Sequence, residues 1–220
     1  MARAVAGAGK MSGEEDTGRS AQKRKAILDA ATEVFLTSGF LGTNMDEIAA
    51  LSGVSKQTVY KHFSSKEALF VEIVLAMTGR AGDQVRSQPL EFPGGDLNAY
   101  LEDYAIRQLT VVLTPRLMQL RRLVIGEVGR FPDLARALYE AGPKRAMTDL
   151  AALFDDLGKR GLLTIDDPWT AASHYNWLVM SEALNAAMLL GDAAIPPAAQ
   201  LKRYARDGVR VFLAAYGPSR

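Results

Sequence analysis

The chain has 220 residues, 48% hydrophobic and 23% charged, with a formal net charge of +1 and no cysteine. That composition describes an ordinary soluble globular protein and excludes a disulfide framework and thiolate chemistry, which suits the reducing cytoplasm. No stretch approaches the ~20 apolar residues that span a bilayer, so no membrane partner is expected.

The first 19 residues carry basic side chains but no continuous apolar segment, and read as a flexible tail rather than a secretory signal. A first helix is predicted over about residues 20–38. Ile27, Ala30, Ala31, Val34 and Phe35 recur at helical spacing, and Gly39 marks its stop. Its start, Arg19 to Lys25, reads either as a solvated helix end or as a phosphate-contacting arm. From Arg19 to Lys66 seven basic residues face four acids, a local balance of +3 that the total charge hides.

Between Thr43 and Phe70 the spacing is that of a helix-turn-helix followed by a supporting helix. Ile48, Val54, Val59 and Phe63 are the apolar positions that lock two short helices together, and Ala49 is small at their approach. Gly53 falls where the turn demands a positive φ. Ser55 then serves as N-cap, accepting from the amide of Gln57 or Thr58. Asp46 and Glu47 occupy a first helical turn, where the helix dipole favours them. Lys56, Gln57, Thr58, Tyr60 and Lys61 are left on an outer face whose natural use is insertion into a DNA major groove. The fourth helix is predicted from Ser64, with Glu67 completing a capping box, through Met77 to a weakening at Gly79 and Gly82.

The stretch from Ser87 to Asp96 is rich in Pro and Gly and offers a domain boundary. Beyond it Pro115, Pro143, Pro168 and Pro197 each fit a first helical turn. Helices are predicted over about residues 97–113, 115–130, 133–141, 143–160, 168–190 and 197–216. No strand alternation interrupts them, so the fold class is all-α.

At these residues the sequence resembles the TetR/AcrR family of bacterial transcriptional regulators. The elements that carry the resemblance are Thr43, Ile48-Ala49, Gly53-Val54-Ser55, Tyr60-Lys61-His62-Phe63 and Ser65-Lys66-Glu67. One departure is Gln57-Thr58, where many members carry Gly-Thr or Pro-Thr, which alters the base-reading surface. The resemblance implies a tail at 1–19, a helix-turn-helix domain at 20–66 and a helical ligand-sensing and dimerisation domain at 67–220. It implies phosphate contacts from Thr43, Ser55, Tyr60, His62 and Lys66. Base reading then falls to Lys56, Gln57, Thr58 and Lys61, since glutamine pairs with adenine and lysine favours guanine.

It further implies a homodimer on a palindromic operator in double-stranded DNA, released by a small lipophilic effector. Leu184 and Met188 on one late helix, with Leu201, Tyr204, Gly208 and Phe212 on the next, are the candidate dimer stripe; both stripes equally suit the domain's own core. Tyr104, Met118, Arg122, Met147, Phe154, Trp177 and Met180 are candidates for the effector cavity. Arg121, Arg122, His174 and Asn176 are polar groups able to orient a ligand, and a buried charge there needs Glu127 or an acidic effector as partner.

Catalysis is not expected. The two histidines, His62 and His174, lie far apart, and no His-x-x-x-His pair, Gly-x-Ser-x-Gly elbow or phosphate-binding Gly loop occurs. Asp155-Asp156 and Asp166-Asp167 fit a solvated helix face and a cap region. No metal or cofactor is anticipated. The alternative is a DNA-binding protein whose C-terminal half contacts a protein partner or organises the chromosome without an effector.

Overall fold

Residues 8–87 and 90–218 are described by a computed structural model, and every long element among them is helical. The ten α-helices are α1 (Ala8–Gly42), α2 (Met45–Ser52), α3 (Lys56–His62), α4 (Lys66–Val85), α5 (Leu97–Val112), α6 (Pro115–Gly126), α7 (Pro132–Tyr139), α8 (Arg145–Lys159), α9 (Pro168–Leu190) and α10 (Ala198–Tyr216). The chain divides into two compact units at Ile73/Val74, inside α4 rather than at the Pro/Gly-rich stretch after it.

Helix boundaries follow local chemistry, with instructive exceptions. Of the expected tail, residues 1–7 lie outside the described residues, and from Ala8 onward the backbone is already helical. Gly39 breaks α1 with φ 71°, as its place at the helix stop predicts. α2 is capped by Asn44, whose side chain accepts from the Asp46 amide, and not by Thr43. α4 is capped by Ser65, which accepts from the Ala68 amide at 3.1 Å, one residue later than the predicted start. It then runs unbroken past Gly79 and Gly82.

Pro115, Pro132 and Pro168 occupy first turns, where a missing N–H costs nothing. Pro143 does not open a helix. It sits inside a π-helical turn, Glu140–Lys144, that joins α7 to α8. A proline there cannot donate the regular i→i−4 bond, and the wider turn absorbs the loss.

The first unit is built on Phe35, Phe40 and Phe70, with ring centroids 4.7–5.9 Å apart. Ile27, Ala31, Ile48, Val59 and Leu69 complete this buried core. Arg24 ties α1 to α4 by a 2.8 Å ion pair with Glu72, its guanidinium lying over the Phe63 ring.

The second unit packs α5, α8, α9 and α10 around an aromatic cluster of Phe154, Tyr175, Phe212 and Tyr216. Tyr175 is wholly buried and donates its hydroxyl to the Leu101 carbonyl at 2.7 Å; burial pushes its pKa up, so it stays neutral. Gly208 brings α10 close to α9: a Cβ at that position would lie 2.9 Å from the Leu178 carbonyl oxygen.

Candidate nucleic-acid interface and effector cavity

α2 ends in a left-handed Gly53 (φ 68°, ψ 25°), and the turn closes with Gly53 N–H to Ala50 O and Val54 N–H to Ala49 O. This six-to-one, five-to-two pairing satisfies the carbonyls that a helix end leaves open. Ser55 restarts the chain, its Oγ accepting from the Thr58 amide at 3.2 Å. Ile48, Ala49, Val59 and Phe63 are buried between the two helices, as their spacing predicts.

The other face of α3 is therefore open. Lys56, Gln57, Tyr60 and Lys61 are exposed, Thr58 and His62 half-buried. Tyr60 is 44% exposed, so it is no core aromatic. Lys56 is held 2.9 Å from Asp46 of α2, which also raises its pKa, first through the hydrogen bond and then through the charge.

Two residues assigned to phosphate stand differently from expectation. Thr43 is buried and donates its hydroxyl to the Gly39 carbonyl at 2.7 Å, bracing the α1–α2 corner. Lys66 reaches the same corner: its ammonium donates to the carbonyls of Thr43 and Leu41 and lies 4.8 Å from the Phe40 ring centroid. Both hydrogen-bond at the α1–α2 corner.

Within the second unit, a cavity of about 290 Å³ opens among α4, α5, α6, α7, the π-turn, α8 and α9. Of the predicted ligand residues, Tyr104, Met118, Met147, Trp177 and Met180 line it. Phe154 does not: it is fully buried in the aromatic cluster. Arg122 does not either, because it turns away to Asp192 and to the Ala187 carbonyl, closing the C-terminal end of α9. Asp192 has its pKa lowered by hydrogen bonds from Arg122 and then Gln119.

Sequence reading missed Thr78, Tyr139 and Trp169 in this lining. Thr78 sits on a helix assigned to support of the reading head, and Tyr139 ends α7 at a π-turn that has no sequence signature. Gln108 donates from Nε2 to Asn176 Oδ1 at 2.9 Å, while its own Oε1 is buried without a partner.

The predicted dimer stripe is only partly outward. Leu201, Gly208 and Phe212 face the subunit's own core, Phe212 with no exposed surface. Leu184 lines the cavity, and Met188 and Tyr204 are half-buried against the core. The large apolar side chains left exposed on α9 and α10 are Trp169, Trp177, Leu178, Leu189, Leu190 and Val211.

No group of three metal-ligating side chains occurs among the described residues, and none of their helices is long and apolar enough to cross a membrane. His174 is engaged with the Tyr216 hydroxyl at 2.6 Å.

A solvated second helix on a glycine turn, carried by a three-helix unit and followed by a helical unit with its own cavity, defines a helix-turn-helix DNA-binding regulator. Family models agree in both halves. Residues 27–73 match the bacterial regulatory proteins of the tetR family, and residues 99–218 match the AefR-like transcriptional repressor C-terminal domain. The chain is 31% identical to the HTH-type transcriptional regulator RutR of Escherichia coli, over 77% of this chain and 80% of that one. A crystallised TetR-family transcriptional regulator from Mesorhizobium loti is 40% identical, with TM-score 0.84 over 90% of this chain and 98% of that one. The flavonoid-responsive regulator FrrA is 31% identical, with TM-score 0.76, covering 91% and 100%. The chain belongs to the TetR family of helix-turn-helix transcriptional regulators.

Proposed function

We propose that the protein is a cytoplasmic, non-enzymatic repressor that binds a palindromic operator as a homodimer and leaves it when a small effector fills the second unit's cavity. Two observations carry this reading, the exposed α3 face of the first unit and the largely apolar, partly open cavity of the second. Gln57, Thr58 and Lys61 read base edges, with Lys56 exchanging Asp46 for DNA. Ser55, Tyr60 and His62 meet phosphate, and Thr43 and Lys66 act by holding the α1–α2 corner.

The effector works by population shift, so it binds the released form better than the DNA-bound form. Its body is lipophilic, in keeping with Tyr104, Met118, Met147, Trp177 and Met180. FrrA is flavonoid-responsive, and the aromatic lining here suits a flat ring system likewise. The cavity also favours an effector over the alternative in which the C-terminal half serves only a protein partner.

Selection of binding sites from random duplex DNA with the purified protein tests the first half. A short inverted repeat is the expected outcome, and a pool with no enriched sequence refutes it. Repression itself is tested with a reporter behind the selected site; expression that falls on deleting the gene makes the protein an activator instead.

A further inference from the structure

Arg121, on α6, lines the cavity, and no hydrogen bond or ion pair engages its guanidinium among the described residues. The other charged side chains in the lining are Arg86 and Asp149, which pair with each other at 3.4 Å. Arg86 also holds Asp83 at 2.9 Å. The cavity wall therefore carries two guanidiniums against one carboxylate, and that carboxylate is already taken. Burial lowers the Arg121 pKa, with no neighbouring charge among the causes. Arg121 is half-buried and a guanidinium cannot shed its proton at neutral pH, so an anion entering the cavity gains a charge-assisted partner there.

Two further groups are idle in the same wall: Thr78 Oγ1 and Gln108 Oε1 are buried without partners. A buried polar atom without a partner is costly, and two of them beside an unpaired guanidinium in one cavity mark a site shaped for a polar guest. Around them stand Tyr104, Trp169, Trp177 and the methionines.

From this arrangement we propose that the effector is an amphiphilic organic anion, with its anionic oxygens on Arg121, a hydroxyl or amide near Gln108 and Thr78, and its apolar, ring-sized body among the aromatic and methionine side chains. The proposal rests on the reading of the cavity as the effector site, and the experiment separates the two. The probes are 8-anilinonaphthalene-1-sulfonate and N-phenyl-1-naphthylamine, which share one aromatic body and differ by the anionic group. Titration of the full-length protein, followed by dye fluorescence, gives both affinities.

The anionic dye is expected to bind wild type more tightly than the neutral one. Arg121→Met should weaken the anion about 10- to 100-fold and leave the neutral dye within about twofold, as loss of a charge-assisted contact dictates. Arg121→Lys keeps the charge and should recover much of the loss; it also serves where Arg121→Met does not fold. Met118→Trp fills the cavity and should abolish both signals. Equal affinity for the two dyes, or an anion preference that survives Arg121→Met, overturns the anionic class while the cavity stays an effector site. Anionic-dye binding that persists in Met118→Trp puts the dye elsewhere and overturns the proposal. Failure of wild type to bind either dye, with operator binding intact, overturns the effector reading itself.

Discussion

Ser55 and Gln57 stand two residues apart at the start of α3, one as its cap and one on its outer face, yet their side chains answer to different measurements. Ser55 accepts the Thr58 amide, so Ser55→Ala removes a helix cap and should lower stability by about 1 kcal/mol in a denaturant melt. Gln57 is exposed, so Gln57→Ala should leave the melt unchanged and lose about 1–3 kcal/mol of discrimination at one base pair. Repeating the site selection with that variant, and finding one position of the operator degenerate, is the check. Lys56 gives a third case, because its ammonium is shared with Asp46. Asp46→Asn frees that charge and removes a like charge to phosphate. DNA of every sequence should then bind more tightly, with a salt dependence steeper by about one unit in a fluorescence anisotropy titration. The residues of this surface were legible in advance because glycine, a capping serine and an apolar period fix which way α3 faces. What eluded sequence was which of these polar side chains the fold itself engages. Thr43 and Asn44 are both good capping residues, and only the three-dimensional corner shows that Asn44 caps while Thr43 turns inward to the Gly39 carbonyl.

Two glycines separate the ways an element depends on an absent side chain. Gly53 needs its left-handed backbone, and no side-chain or backbone atom crowds the place a Cβ would take. Gly53→Ala should therefore cost about 1–2 kcal/mol from conformation alone. Gly208 is the opposite: its backbone is ordinary helix, where alanine is otherwise favoured, but the added Cβ would meet the Leu178 carbonyl at 2.9 Å. Steric conflict at that α9–α10 crossing should outweigh the helix propensity gain, for a net loss of about 1–3 kcal/mol in a thermal or urea melt. Gly208→Ala that proves as stable as wild type would show that the two helices separate easily. Helix count and most helix limits were readable from prolines and caps, since those act within a few residues. Pro143 misled because the same residue type opens a first turn or sits in a widened one. Neighbours along the chain do not decide between them; in the fold the π-turn lies so close to α4 that a Cβ on Gly142 would sit 2.8 Å from the Thr78 methyl carbon.

At the scale of the whole molecule, the proposed pairing of two copies calls for an outward apolar surface, and periodicity alone does not mark one. α9 is apolar on more than one face, so its sequence does not reveal which face turns inward. The structure gives the inner one to Tyr175, Val179 and Ala183 and leaves Leu178 outward; on α10 it buries Phe212 and leaves Val211 outward. Leu178 and Val211 are 41% and 42% exposed, which apolar side chains on a pairing surface would be in a single copy. A symmetric pair places two reading heads on half-sites about 34–36 Å apart, and joining two weak contacts multiplies affinity by about 10²–10⁴. Leu178→Glu with Val211→Glu adds charge to that surface without touching the core. Sedimentation should then find a monomer with an unaltered helical signal, and operator affinity should fall by the same 10²- to 10⁴-fold factor. Because the reading head is untouched, the residual binding should match wild-type affinity for an isolated half-site. A double variant that remains dimeric and binds the full operator as before would move the pairing surface to another part of the chain.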